Sequence, residues 1–296
     1  MITFTVSGLT NILGQLLPEP HAGLLAGLLF GTKSSLPHAF YDALVRTGTL
    51  HIVALSGMNI AIMSRLARGS LVWMVGRRIA SLLTILLILF FVWFVGPSAS
   101  IVRAAIMGCI SLFALLFGRQ YWALGSWILA VGGMILINFA LLGYISFQLS
   151  VLATLGIILF CDRDRDAFHE SVYRTAGSSL NNTQEAAIPS NARPPISHLA
   201  WDMVKDDLRL TLAAQVFTVP VILFHFQRIS LIAPIANLAI GWIIAPLTGL
   251  GWITVFVGFV SLPLARVFAW FDWVALEYIV RTIYIISSFP FASIGR

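Results

Sequence analysis

Long apolar runs separated by short polar breaks set the pattern of this chain, and one run departs from it. Between Thr49 and Arg65 about fifteen mostly apolar residues follow one another, where a straight membrane span needs roughly twenty. Inside that short run stand His51, Ser56, Gly57 and Asn59. Polar side chains at membrane depth face a bundle interior or a water-filled cavity. Interrupted backbone survives there only where protein or a cavity satisfies it. The stretch therefore reads as a broken or re-entrant helix lining a pathway. A short helix whose polar groups hydrogen-bond to neighbouring helices fits the pattern equally well.

Before that stretch, Pro18-Glu-Pro20 predicts a helix break. Gly23, Gly27 and Gly31 then recur every four residues, a small-residue stripe that lets helix backbones approach closely. Gly27-Leu-Leu-Phe-Gly31-Thr-Lys33-Ser34 is not a phosphate-binding loop. That loop needs four residues between its glycines and an adjacent Gly-Lys; here three intervene and Thr32 precedes the lysine. Residues 35–49 are more polar, and Asp42 and Arg46 stand one helical turn apart, a spacing that supports a helix. Arg46 also lies five residues before His51, at the mouth of the interrupted segment.

After it, Arg65, Arg68, Arg77 and Arg78 form a basic cluster without a nearby acid, which assigns this loop to the cytoplasm. Counting onward, spans are predicted over about 79–96, 101–117, 122–142 and 144–161, with a turn at Gly96-Pro97-Ser98. Arg103 stands three positions into a helix, a costly place for a charge unless it is paired or snorkels. Gln148 and Ser150 bring an amide and a hydroxyl into another span. For all three, contacts between helices and lining of a channel are both open. Residues 162–207 hold eight of the twelve acidic residues and no apolar period, and are expected to form a solvated, largely disordered cytoplasmic loop. An amphipathic helix is expected to start near Trp201. Beyond the loop, Gln215, Pro220, Pro234, Asn237 and Pro246 fall within apolar segments. Prolines and buried amides in such segments predict discontinuous helices of the kind found at transport sites. Glu277 and Arg281 are spaced to neutralise each other. Eight to ten membrane segments are expected in all, some of them short.

Composition agrees with this pattern. The 296 residues are 59% hydrophobic and 10% charged, with a mean hydropathy of +0.93, against about 25% charged in soluble domains. The fold class predicted is all-α, a polytopic membrane bundle with broken or re-entrant helices. It forms one domain over 1–296, interrupted by the loop at 162–207. The first twenty residues carry no Lys or Arg, so the basic start of a secretory signal is absent. Cys109 and Cys161 read as buried thiols, and neither a metal site nor another cofactor is expected. The net charge of +6 is read as loop bias across a membrane in preference to a nucleic-acid surface.

The ordered motifs resemble a known family. Arg46-Thr-Gly-Thr-Leu-His51-Ile-Val-Ala-Leu-Ser56-Gly57-Met-Asn59-Ile resembles the signature of the ComEC competence family, the presumed DNA channel of bacterial transformation. Gly31-Thr-Lys33-Ser34 resembles the Gly-Asp-Arg-Ser element that precedes it. Ser100-Ile-Val-Arg103-Ala-Ala-Ile-Met107 resembles the family's Val-Val-Arg-Ala helix, and Phe147-Gln148-Leu-Ser150 its Phe-Gln-Leu-Ser segment. Ala214-Gln215, Pro220, Ser230 and Asn237-Leu238 follow in the family's order, so the likeness covers about residues 20 to 290.

The resemblance implies a channel that passes single-stranded DNA across the bacterial cytoplasmic membrane, with membrane lipid around it. It also implies a cytoplasmic ATPase or helicase to pull the strand, a periplasmic or surface DNA receptor, and a separate nuclease. Path candidates are Arg46, His51, Ser56, Gly57, Asn59, Arg103, Gln148, Ser150, Gln215 and Asn237. Where many relatives have Ser-Gly-Leu-His, this chain has Ser56-Gly57-Met58-Asn59, which removes a titrating group. Full-length members carry an oligonucleotide-binding barrel and a metallo-β-lactamase-like domain; neither is expected within residues 1–296. Two other classes are open. Discontinuous helices suit a secondary transporter for a small solute. Ala54-Leu-Ser56-Gly57 is similar to the Gly-x-Ser-Gly of rhomboid proteases, with His51 or His225 as base.

Overall fold

The computed structural model describes residues 5–32, 36–53, 57–177, 196–226, 228–230, 232–289 and 294–295. The described chain is essentially all-α, with one two-residue antiparallel strand pair joining Arg228–Ile229 to Ile294–Gly295. Two short helices open it, α1 (Val6–Leu16) and α2 (His21–Phe30), broken apart where Pro18 and Pro20 were expected to break them. The side chain of Thr5 caps α1 by accepting from the Gly8 amide. Every residue of α2 is buried, as an all-round apolar helix requires. At ten residues it is about 15 Å long, too short to span, so it stands inside the bundle.

Around α2 pack α3 (His38–Arg46), α4 (Leu50–Val53), α10 (Ala233–Val260) and α11 (Leu262–Ser287), which share one apolar core with α1. The glycine stripe has its reason in this packing. Gly27 lies directly against Val53, where any side chain would collide with the valine and the backbone behind it. Gly251 on α10 admits Leu25 and Leu29 of α2 in the same way.

The next helix, α5 (Gly57–Val95), is 39 residues long but is broken at Gly76, whose φ of 80° and ψ of 166° only glycine adopts readily. Gly57 lies against Arg103 and Ala104 of α6 (Ala99–Leu116), and Gly108 of the same helix lies against Ile88. A straight helix would separate Gly57 from Ile88 by about 46 Å. α5 therefore folds back on itself at Gly76, and its two arms share a second core with α6 through Ile60, Ile88, Phe91, Ile101, Ala105 and Leu112. The loop expected around Arg65 to Arg78 is thus mostly helix, with its turn reduced to one glycine. Trp252 of α10 joins the two cores, edge-on to Phe30 at 5.5 Å and to Phe91 at 5.8 Å.

The rest of the bundle is α7 (Ala123–Ile137), a 3-10 helix (Phe139–Gly143), α8 (Ile145–Gly177) and α9 (Ile196–Phe226). α8 and α9 meet where Gly156 touches the Ala213 carbonyl. The stretch expected to be a loop at 162–207 is helical at both of its described ends. No glycine or proline interrupts the chain between Gly156 and Gly177, so helix propagates through the charged residues; 178–195 lie outside the described residues. The expected breaks at Pro220 and Pro246 are absent, because both prolines sit inside continuous helices. Neighbouring helices in a membrane bundle tolerate the one lost backbone hydrogen bond. Pro234 instead occupies the first turn of α10, where its missing N–H is no loss. Four described helices are long and apolar enough to cross a membrane: Gly57–Val95, Ala99–Leu116, Leu208–His225 and Ala233–Val260. His21–Phe30, Ala123–Ile137 and Ile145–Cys161 are apolar but shorter.

Candidate functional site

The interrupted segment is built from two helix ends. α4 stops at Val53 and α5 starts at Gly57, with Ala54 to Ser56 outside the described residues. Two turns of geometry bring three further elements to this point. The last four carbonyls of a helix lack partners within it, and the Leu28 carbonyl near the end of α2 is one of these. Asn59, 3% exposed, donates its amide to that carbonyl at 2.5 Å. Its Oδ1 is buried without a partner.

Half a turn back on α5, Gly57 leaves room for α6. A Cβ there would stand 3.1 Å from the Ala104 methyl and 3.7 Å from Nη2 of Arg103. Arg103 is 7% exposed, donates through Nη1 to the Thr154 hydroxyl on α8, and keeps a buried Nε without a partner. Thr154 in turn donates to the Ser150 carbonyl at 3.0 Å. Gly57, Asn59, Arg103, Thr154 and the Ser150 carbonyl thus lie along one seam where α2, α5, α6 and α8 meet.

Among the described residues no carboxylate balances the guanidinium. Outside 162–207 the chain has four acidic residues, Glu19, Asp42, Asp272 and Glu277. Glu19 accepts from the Gly23 amide, Asp272 is hydrogen-bonded to Thr254, Glu277 is bonded to His21 and Arg281, and Asp42 is exposed. Burying an unpaired cation costs several kcal/mol, roughly 2.5–3.5 kcal/mol for arginine at a helix centre on insertion scales. The amino end of α5 adds positive partial charge at the same place. The seam is therefore an electropositive, mostly dehydrated spot with hydrogen-bond donors, suited to an anion.

The other predicted residues stand apart from it. His51 is exposed and bonded through Nδ1 to the Gly48 carbonyl at 3.0 Å. Arg46 is exposed at the end of α3 and forms no ion pair with Asp42. Gln148 turns toward the 3-10 helix and donates to the Leu142 carbonyl at 2.6 Å. Gln215 is half-buried on α9, and Asn237 is half-buried on α10 with its Oδ1 lacking a partner. Ser56 lies outside the described residues. Thr154 was missed: a threonine in an apolar helix carries no special signal, and nothing in the sequence pairs it with Arg103, 51 residues away. His21 was missed too; it bonds Glu277 at 2.7 Å and stacks on Trp273. Among the described residues no cluster of His, Cys, Asp and Glu has a metal-holding arrangement.

A family model for competence proteins matches residues 28–295. The chain belongs to the competence protein family. This confirms the likeness read from the motifs and makes the chain a competence-related, multi-pass inner-membrane protein. Among curated relatives of this competence-family chain is "Uncharacterized protein YcaI" of Escherichia coli K12, 24% identical over 238 residues, which covers 78% of this chain and 28% of that protein. Another is "ComE operon protein 3" of Bacillus subtilis 168, 22% identical over 225 residues, covering 76% of this chain and 25% of that protein. The competence-family chain thus aligns with about a quarter of the length of either relative. No solved structure matches it.

Proposed function

We propose that this competence-family chain forms the membrane part of a conduit that passes single-stranded DNA across the cytoplasmic membrane. The observation that carries the reading is Arg103, a buried guanidinium with no counter-ion among the described residues, at the amino end of α5. A strand in transit carries one negative phosphate per nucleotide through a medium of low dielectric. Single-strand binders meet that charge with positive grooves, and a helix amino end is a ready anion site. Arg103 supplies the charge, Thr154 orients it, and Asn59 holds the start of α5 to the end of α2. Arg46 is the exposed cation at the mouth. Of the remaining path candidates, Gly57 leaves a strand space at the seam and Ser150 stands one turn from Thr154, whereas His51, Gln148, Gln215 and Asn237 stand apart from it. A cytoplasmic ATPase or helicase pulls, a surface receptor delivers, and a separate nuclease supplies the single strand.

The test is complementation of a strain that lacks this protein. Arg46→Ala, Arg103→Ala and Asn59→Leu are each expected to stop DNA uptake while the protein inserts at normal levels. Normal transformation in all three would remove the assignment. The absence of protein from the membrane is checked separately by immunoblot, so that failed insertion is not read as failed transport.

A further inference from the structure

A second buried polar site lies away from the seam, between α10 and α11. Asp272 is fully buried, and its one hydrogen-bond partner among the described residues is Thr254 on α10, whose Oγ1 stands 2.5 Å from Oδ2. The other carboxyl oxygen, Oδ1, is buried with no partner. Thr254 Oγ1 also reaches back to the Leu250 carbonyl at 3.1 Å.

The protons in this chain of contacts can be counted. A threonine hydroxyl has one proton to give and two lone pairs to accept with. That one proton can go to Asp272 Oδ2 or to the Leu250 carbonyl, which also accepts the Thr254 amide within the helix, but not to both. An ionised carboxylate also only accepts, so with Asp272 charged only one of the two contacts carries a proton. Both carry one when Asp272 is the neutral acid, donating from Oδ2 to Thr254, which donates onward to Leu250. The orphan Oδ1 fits the same assignment. A buried carboxylate with one partner leaves most of its charge unsolvated, whereas the carbonyl oxygen of a neutral acid is far cheaper to bury.

We infer that Asp272 is a proton-binding site inside the bundle, held as the carboxylic acid and hydrogen-bonded through Thr254 to the backbone of α10.

Among the described residues no neighbouring charge works against this. The elements packed on α11 are α1, α2, α3 and α10. α1 and α10 carry no titratable side chain; α2 carries His21, and α3 carries His38, Tyr41, Asp42 and Arg46. His21 is bonded to Glu277, and none of the five forms a hydrogen bond or ion pair with Asp272. On α11 itself, Arg281 is engaged by Glu277, and Arg266, Tyr278 and Tyr284 make no bond to Asp272.

The test is infrared absorption of the full chain in lipid nanodiscs at neutral pH, with and without carbon-13 aspartate. Exposed carboxyl groups are ionised there, so a protonated-carboxyl band that shifts with the label is the expected result. It should vanish in Asp272→Asn, whose amide can still donate to Thr254, and move to higher frequency in Thr254→Val, which has no acceptor. Absence of any label-sensitive acid band in the unmodified protein would overturn the inference without need of a variant. So would a band that persists unchanged in folded Asp272→Asn.

Discussion

Two charged side chains in this bundle, Arg103 and Glu277, stand on apolar helices and are held in opposite ways. Glu277 accepts from His21 at 2.7 Å and from Arg281 at 2.5 Å, and the arginine is 73% exposed. Its charge is matched and reaches the edge of the protein. Arg103 is buried, has a hydroxyl for its one bonded partner among the described residues, and faces the start of α5, which adds to its positive charge instead of cancelling it. A matched group near the surface contributes a little to stability. An unmatched one buried among membrane helices costs stability, and such groups mark transport pathways. The contrast between the two is what separates scaffold from candidate path.

The sharpest way to break that contrast is Arg103→Met. Uptake should fall to that of a strain lacking the protein. Thermal stability should hold or rise, by about 1–4 kcal/mol if it follows other buried ionic groups replaced by apolar ones. A large loss of stability with uptake retained would make Arg103 scaffold. Next in size is Gly156→Leu. A side chain there drives into the Ala213 carbonyl, and overpacking of this kind costs about 3 kcal/mol. Because Thr154 is half a turn away, uptake in the complemented strain should fall together with the thermal stability of the purified chain. Asn59→Leu leaves the Leu28 carbonyl without its donor, about 1–3 kcal/mol for a buried acceptor. It should lower the melting temperature and stop uptake.

Smaller effects belong to the matched site. Glu277→Gln keeps an acceptor oxygen for the buried His21 and the exposed Arg281, so it should lower stability by about 1 kcal/mol and leave uptake intact. Arg46→Ala should change stability by about 0.5 kcal/mol or less, as expected of a surface position, so that its loss of uptake reads free of unfolding.

Some of this was legible in the chain and some was not. The short run between Thr49 and Arg65 predicted an interrupted segment, and α4 and α5 do end and start within it. Arg103 was legible as a misplaced charge. Backbone breaks were less so. Gly76 was hidden in a basic cluster that read as a loop, while Pro220 and Pro246 read as breaks and are not. Local composition cannot report whether neighbouring helices will tolerate a lost hydrogen bond. Partners across helices were illegible altogether. Gln148 had the composition of a channel-lining group but is used by the Leu142 carbonyl six residues away. Thr154 and the Leu28 carbonyl, which hold Arg103 and Asn59, are set by packing between distant segments.

The most direct measurement is crosslinking from the seam to DNA caught in transit. A photoreactive residue replaces Ser150, which is half-buried one turn from Thr154, and a control replaces Leu136, which is 87% exposed on α7. Single-stranded DNA arrested part-way across the membrane should crosslink at position 150 and not at 136, and the product should disappear with Arg103→Met. Equal crosslinking at the two positions, or none at 150 while DNA is held in the membrane, would contradict a path through this seam.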